Sequence, residues 1–230
     1  MATIELACLD MAGTTVSDGG VVERAFTVAA SEVGVGPGSA SFAKAMTVVR
    51  ETMGQAKIEV FRLILGDEKT AQRANAAFEH AYAEQLASGA VQPIDGAVDV
   101  LGALREAGLK VCLTTGFAPA TRDALVAHLG WKPLVDLVLS PADAGRGRPW
   151  PDMPLTALLR LGGDAVSSLV VAGDTPADVE CGLRAGAGLV VGVLSGDSAR
   201  ADLEAVPAAT GLPGAPLILD SVADLLPHLG

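Results

Sequence analysis

Four short stretches of this chain set reactive polar side chains beside glycine or proline, each behind an apolar run. The first is Leu9-Asp10-Met11-Ala12-Gly13-Thr14-Thr15, which follows a segment, residues 4–9, broken only by Glu5. An aspartate at the carboxyl end of a buried strand lies where open α/β sheets place their ligands. There it can act as a nucleophile or hold a metal, or it can do no more than satisfy the turn. Gly13 and the two threonines add backbone N–H and hydroxyl groups beside it. The other stretches are Thr114-Thr115-Gly116, Gly145-Arg146-Gly147-Arg148-Pro149 and Gly173-Asp174-Thr175-Pro176-Ala177-Asp178. Each alone is ordinary. Asp178 fits the third residue of a helix capped by Thr175 with Pro176 at its first position, Thr115 a turn hydroxyl, and Arg148 a surface cation. Together they bring a carboxylate, a hydroxyl, a guanidinium and two further carboxylates to one crevice.

Holding these groups at one edge takes a sheet whose strands all end there. From residue 95 the chain alternates accordingly: helix 96–107 stopped by Gly108, strand 109–115, helix 119–129, strand 135–140 and helix 151–161. Strand 168–172, helix 176–185 and strand 189–194 follow. A Pro- and Gly-rich passage, 207–216, precedes strand 217–219 and a last helix up to Leu226. Such repetition argues a parallel sheet with helices on both faces. Residues 21–86 differ. Apolar residues at three- and four-residue spacing predict helices over 21–33, 40–53, 55–65 and 69–86, with Asp67 starting the last. The Gly34-Val35-Gly36-Pro37-Gly38 loop separates the first two and does not fit a dinucleotide motif. Glycine-bearing joints at 16–20 and 88–93 flank this region. The expectation is an α/β protein: a Rossmann-like parallel sheet core from residues 1–15 and 95–230, interrupted by a helical cap domain, 16–94, that moves against it.

Half the residues are hydrophobic and 3% aromatic, so Ala, Val and Leu must build the core. A formal charge of −11 opposes broad attraction to nucleic acid or anionic membrane, so neither is expected as a partner. Cys8, Cys112 and Cys181 are scattered, without CxxC spacing, as buried thiols of a reducing compartment would be. The first residues carry no basic-then-apolar leader pattern, and residues 188–194 are too short to cross a bilayer. A soluble, cytoplasmic protein is expected. His80, His128 and His228 show no metal spacing, whereas Trp131 and Trp150 are candidates for the crevice wall.

The order Asp-x-x-Gly-Thr, Thr-Gly, a cation before Pro and Gly-Asp-x-x-x-Asp resembles the haloacid dehalogenase superfamily of phosphotransferases. The resemblance implies that Asp10 is a nucleophile forming an aspartyl-phosphate that water then cleaves. It implies that Thr115 and the Gly116 amide bind phosphoryl oxygens and that Arg148 offsets their charge. It assigns Asp10, the Ala12 carbonyl and Asp174 to Mg²⁺, with Asp178 in support. The chemistry agrees, since Mg²⁺ takes oxygen ligands and a transferring phosphoryl group needs its charge neutralised.

Most phosphatases of the superfamily carry a second aspartate, a general acid, where this chain has Ala12. General acid catalysis gives ~10²–10⁴-fold, so an ester phosphatase lacking it is handicapped. Ala12-Gly13-Thr14 and the arginine of Gly147-Arg148-Pro149 resemble the phosphonatases (phosphonoacetaldehyde hydrolases) and their phosphonatase-like relatives. So does Met53-Gly54-Gln55-Ala56-Lys57, where the resemblance puts a cap lysine that forms a Schiff base with an aldehyde substrate and places Gly13 and Met53 around that substrate. A free lysine, pKa ~10.4, is neutral about 0.1% of the time near pH 7.4, and burial between cap and core lowers that pKa. The chain departs from phosphonatases at Val60, where they have histidine, at Phe117, where they have an aromatic hydroxyl, and near Gly20, where they have cysteine. These losses leave the phosphoryl half of the site intact and point to a phosphonatase-like relative. The expected activity is Mg²⁺-dependent hydrolysis of a small phosphonate, with a phosphate-ester phosphatase and a non-catalytic phosphate-binding module as rivals. A homodimer paired through the cap is a further expectation from the resemblance.

Overall fold

The computed structural model describes residues 3–17, 19–206 and 214–229. The chain opens with β1 (Leu6–Asp10), buried along its whole length. A near-continuous apolar run of this kind suits a strand paired on both edges and covered on both faces. After β2 (Val16–Ser17) come α1 (Val21–Glu32), α2 (Ala40–Glu51), α3 (Lys57–Leu65) and α4 (Glu68–Ala87), then β3 (Gln92–Pro93). The remainder alternates: α5 (Ala97–Glu106), β4 (Lys110–Thr114), α6 (Pro119–Leu129), β5 (Leu137–Leu139), α7 (Pro141–Ala144) and α8 (Asp152–Leu161). It ends with β6 (Leu169–Gly173), α9 (Pro176–Ala185), β7 (Leu189–Val193), α10 (Arg200–Glu204) and β8 (Leu217–Leu219).

The main sheet has six strands in the order β5-β4-β1-β6-β7-β8, all parallel. Side chains of β1 alternate between its faces. Ala7 and Leu9 join the large cluster that includes Leu101 and Leu104 of α5, while Leu6 and Cys8 meet Met153, Ala157 and Leu158 of α8. The α/β architecture is the one the strand–helix alternation predicts, and α6, α9 and β8 fall on the residues the sequence assigns. Asp67 does cap α4, its carboxylate accepting the Thr70 N–H at 2.8 Å.

Three expectations need correction. The last helix is only two 3₁₀ turns, Val222–Asp224 and Leu226–His228. Pro227 supplies no N–H, so a continuous α-helix has nothing to propagate through. The two joints are not merely loose: Val16–Ser17 and Gln92–Pro93 pair antiparallel, fastening the ends of the helical insertion side by side. The sequence also missed α7 and α10, each too short for a periodic pattern. Asp18 of the first joint and residues 207–213 of the Pro- and Gly-rich passage lie outside the described residues.

Aromatic residues are few, and most of them gather in one place. Phe26 of α1 lies 5.0 Å from Phe61 of α3 and 4.8 Å from Phe78 of α4, ring centre to ring centre. Tyr82 of α4 continues the cluster to Phe117 beyond β4, at 4.5 Å. The aromatic residues of the insertion therefore belong to one large apolar cluster shared with β1, β4 and α5, and they reach the sheet where the phosphate-loop candidates Thr115 and Gly116 sit. Phe78 is fully buried at this junction. Phe78→Ala should cost ~3–5 kcal/mol of stability, the usual range for emptying such a site, as measured by urea unfolding.

Candidate active site

Register brings the reactive groups together. Asp10 pairs with Thr114 across β1 and β4, so Thr115 is the next residue out of the sheet beside it. Leu9 pairs with Ala172 across β1 and β6, which puts Gly173 alongside Asp10 and Asp174 just beyond. Asp10, Ala12, Gly13, Thr115, Gly116, Arg148 and Asp174 line one cavity of ≈ 300 Å³, together with Met53 and Lys57 of the insertion. Asp178 stands behind Arg148 rather than on the wall. The candidate carboxylates, Thr115, Gly116, Arg148, Met53 and Lys57 are thus gathered at this one place, while the two tryptophans are not.

Arg148 is the centre of charge. It is 4% exposed, and its Nη1 donates to Asp10 Oδ1 at 2.5 Å and to Asp178 Oδ1. Its Nε is buried with no partner among the described residues, a donor well suited to an anionic oxygen. Asp178 serves two roles at once. Its Oδ2 accepts the Thr175 N–H at 3.1 Å and the Thr175 hydroxyl in a capping box at the start of α9, while its Oδ1 takes Arg148. Thr115 Oγ1 accepts the Phe117 N–H at 3.2 Å and keeps its own proton to donate.

Asp10, Asp174 and Asp178 each offer a carboxylate oxygen within 4.8 Å of the others, all buried. Burial is the main cause that raises Asp10 to about 7; Arg148 pulls it down and Asp178 pushes it further up. Asp174 is also raised, first by burial and then by the charges of Asp10 and Asp178. It accepts the Thr14 hydroxyl at 3.0 Å, and no ion pair among the described residues reaches it. Three buried carboxylates against one guanidinium form a set short of positive charge. An oxygen-liganded divalent cation fits that shortage, and its charge would keep Asp10 ionised.

Glycine makes the cluster possible. Gly13 has φ +88°, and a β-carbon there would collide with the Asp174 carboxylate. Gly13→Ala should therefore displace Asp174 and lower by ~10–100-fold whatever affinity the three carboxylates have for a divalent cation, the usual effect of disturbing a ligand's support, as measured by titration calorimetry with Mg²⁺. At Gly116 a β-carbon would meet the Gln55 carbonyl, and the Gly116 carbonyl accepts the Lys57 N–H at 3.2 Å. This close backbone contact seats the Met53–Lys57 loop against the strand end. The Lys57 side chain is 6% exposed, with Nζ 5.7 Å from the Phe26 ring centre and 5.5 Å from that of Phe117.

Sequence reasoning missed a fifth strand end. After β7, Ser195, Gly196 and Asp197 line the cavity; Ser195 Oγ donates to the Gly13 carbonyl at 2.8 Å, and Gly196 packs against Asp174. The Ser-Gly pair behind an apolar strand was the available signal. Neither tryptophan lines the cavity. Trp131 is buried in the core, and Trp150 is 43% exposed between the guanidinium groups of Arg146 and Arg184. Val60 and Phe117 are buried, Cys8, Cys112 and Cys181 are buried free thiols, and the histidines are exposed.

Buried carboxylates, a hydroxyl and a guanidinium thus stand together at the strand-end edge of a parallel sheet. The family model for haloacid dehalogenase-like hydrolases matches residues 4–186, and the chain belongs to that family. Within it, the chain is 36% identical over 109 residues to the phosphonoacetaldehyde hydrolase of Bacillus cereus. That match covers 46% of this chain and 40% of the relative, less than half of its length. The crystal structure of a phosphonoacetaldehyde hydrolase like protein from Oleispira antarctica is similar over 99% of this chain and 92% of that one, with 27% identity and a TM-score of 0.80. A hydrolase from Pseudomonas syringae, 22% identical over 98% of this chain and 97% of its own, shares the fold with a TM-score of 0.81. Among the described residues no helix is long and apolar enough to cross a membrane.

Proposed function

We propose that this chain hydrolyses a small phosphonate bearing an aldehyde or ketone, breaking the carbon–phosphorus bond through a Schiff base at Lys57. The observation that carries this reading is a buried lysine from the insertion in the same cavity as Asp10, Thr115 and Arg148, with Ala12 where an ester phosphatase would need an acid. The similarity to phosphonoacetaldehyde hydrolase supports it.

In the proposed reaction the Lys57 amine condenses with the carbonyl carbon, releasing water and leaving a protonated imine. The Arg148 Nε and the Thr115 hydroxyl hold phosphonate oxygens, and the Asp10 carboxylate attacks phosphorus. The C–P electron pair flows into the iminium, giving an enamine on Lys57 and an aspartyl-phosphate on Asp10. Water cleaves the aspartyl-phosphate to inorganic phosphate. The enamine takes up a proton and is hydrolysed, returning free lysine and the carbonyl product. Asp10, Asp174, Asp178 and the Ala12 carbonyl are the residues proposed to hold Mg²⁺, whose charge would offset that of the phosphoryl oxygens. Residues 16–94 serve in this reading as the cap that brings Lys57 to the core. The buried thiols fit a cytoplasmic setting.

A second reading has its own observation. Val60 and Phe117 cannot accept a proton where phosphonatases have a histidine and an aromatic hydroxyl, and the Lys57 Nζ lies at cation–π distance from the Phe26 and Phe117 rings, which suits a lysine that stays protonated and binds a phosphate monoester. A phosphate-release screen across carbonyl phosphonates and phosphate esters, with and without Mg²⁺, separates the two. Release from carbonyl phosphonates alone supports the Schiff-base reading; release from esters alone refutes it.

A further inference from the structure

Gly54, Gln55 and Ala56 of the insertion each meet a different core segment, and each of those segments carries part of the phosphoryl end of the site. A β-carbon on Gly54 would stand 2.5 Å from Thr175 Oγ1 and 3.4 Å from its Cβ and Cγ2, and the φ of +84° also favours glycine. Thr175 directly follows Asp174. A β-carbon on Gly116, next to Thr115, would collide with the Gln55 carbonyl. One on Gly147, the residue before Arg148, would lie 3.2 Å from the Ala56 β-carbon. The loop is therefore packed closely on the turns that carry Thr115, Arg148 and Asp174, with a glycine in every contact. The Thr175 contact reaches furthest. This side chain is buried, and its hydroxyl donates to Asp178 Oδ2 while accepting the Asp178 N–H at 3.3 Å. Both uses fix where Oγ1 sits, and glycine at position 54 leaves room for it there. Asp178 Oδ1 in turn accepts from Arg148 Nη1, which also donates to Asp10. An unbroken line of contacts thus runs from the insertion loop through Thr175 and Asp178 to the guanidinium and Asp10.

We propose that Thr175 is a positioning residue through which the insertion loop sets the Arg148 guanidinium. Gly54 lets Thr175 keep the rotamer that restrains the Asp178 carboxylate, and Asp178 fixes the guanidinium beside Asp10. The same loop carries Lys57, so presenting the lysine and ordering the phosphoryl end of the site are one event. The line of contacts ends at the groups that face phosphorus. Its role is therefore the same for a carbonyl phosphonate and for a phosphate ester: it rests on phosphoryl transfer at Asp10 and not on the Schiff base.

A double-mutant cycle on the full chain tests the role. The readouts are kcat/KM for phosphate release and the inhibition constant of orthovanadate, an anion that occupies only the phosphoryl end. Gly54→Ala should lower kcat/KM by ~10–100-fold, the scale of a small misplacement of a binding group, and weaken orthovanadate in step, because its methyl turns the Thr175 hydroxyl away from Asp178. Thr175→Ala should cause a loss of similar size. The double variant should be no worse than Thr175→Ala alone, since the atom that Gly54→Ala displaces is already gone. The strain of alanine at a φ of +84° is common to both backgrounds and cancels from the comparison. Losses that multiply overturn the proposal, because Gly54 and Thr175 then act independently. Thr175→Ala with wild-type kcat/KM and a lowered unfolding midpoint also overturns it, reducing Thr175 to a helix cap. Thr175→Ser keeps the hydroxyl and should stay close to the wild type; serine as impaired as alanine counts against the role, and this pair decides if Gly54→Ala does not fold. A wild type that releases phosphate from no carbonyl phosphonate or ester overturns phosphoryl transfer at Asp10, and this role with it.

Discussion

Asp10→Asn should bring phosphate release from every substrate to the assay floor, a loss of roughly 10⁶-fold on the scale seen when a covalent nucleophile is removed. The amide has the size of the carboxylate and can still accept a hydrogen bond from Arg148, but it does not form a stable acyl phosphate. Arg148 keeps Asp178 as its ion partner, so the buried guanidinium is not stranded and the fold should survive. Steady-state assays with near-UV circular dichroism on the same sample check both halves. Residual turnover above about one part in a thousand would mean that another group attacks phosphorus, since that exceeds what binding and positioning alone retain.

Lys57→Arg is the second large effect, and it is selective. Arginine keeps a positive charge in the cavity but cannot lose a proton near neutral pH, so it forms no imine. Carbonyl phosphonates should then be turned over no faster than without enzyme. Any ester-phosphatase activity should change by less than about tenfold, or ~1.4 kcal/mol of barrier, because the charge remains and Asp10, Thr115 and Arg148 are untouched. Comparing kcat/KM for the two substrate classes in one preparation reads the selectivity directly. Equal loss in both would assign Lys57 to general anion binding.

The core was legible because period and punctuation agreed along it. Apolar runs ending in Asp10, Thr115 and Asp174 are strands, and parallel pairing then leaves no choice about which edge those residues share. The helices of the insertion followed from their three- and four-residue spacing and from Asp67 as a cap. What escaped depends on partners far along the chain. Ser195 and Gly196 matter because they pack on Gly13 and Asp174, contacts that no local pattern encodes. Trp150 misled for the reverse reason: its place after Arg148-Pro149 suggested the cavity, but Arg146 and Arg184 hold its ring on the outer surface. For Asp178 the capping role was written in the sequence, whereas its ion pair with Arg148, thirty residues away, was not.

The central claim is that Lys57 forms a covalent imine with a carbonyl phosphonate. Incubating the protein with phosphonoacetaldehyde, adding borohydride and mapping the adduct by peptide mass spectrometry tests it most directly. The account predicts one reduced two-carbon adduct, on Lys57, absent from Lys57→Arg. No adduct at Lys57, with phosphate still released from the same substrate, would contradict it.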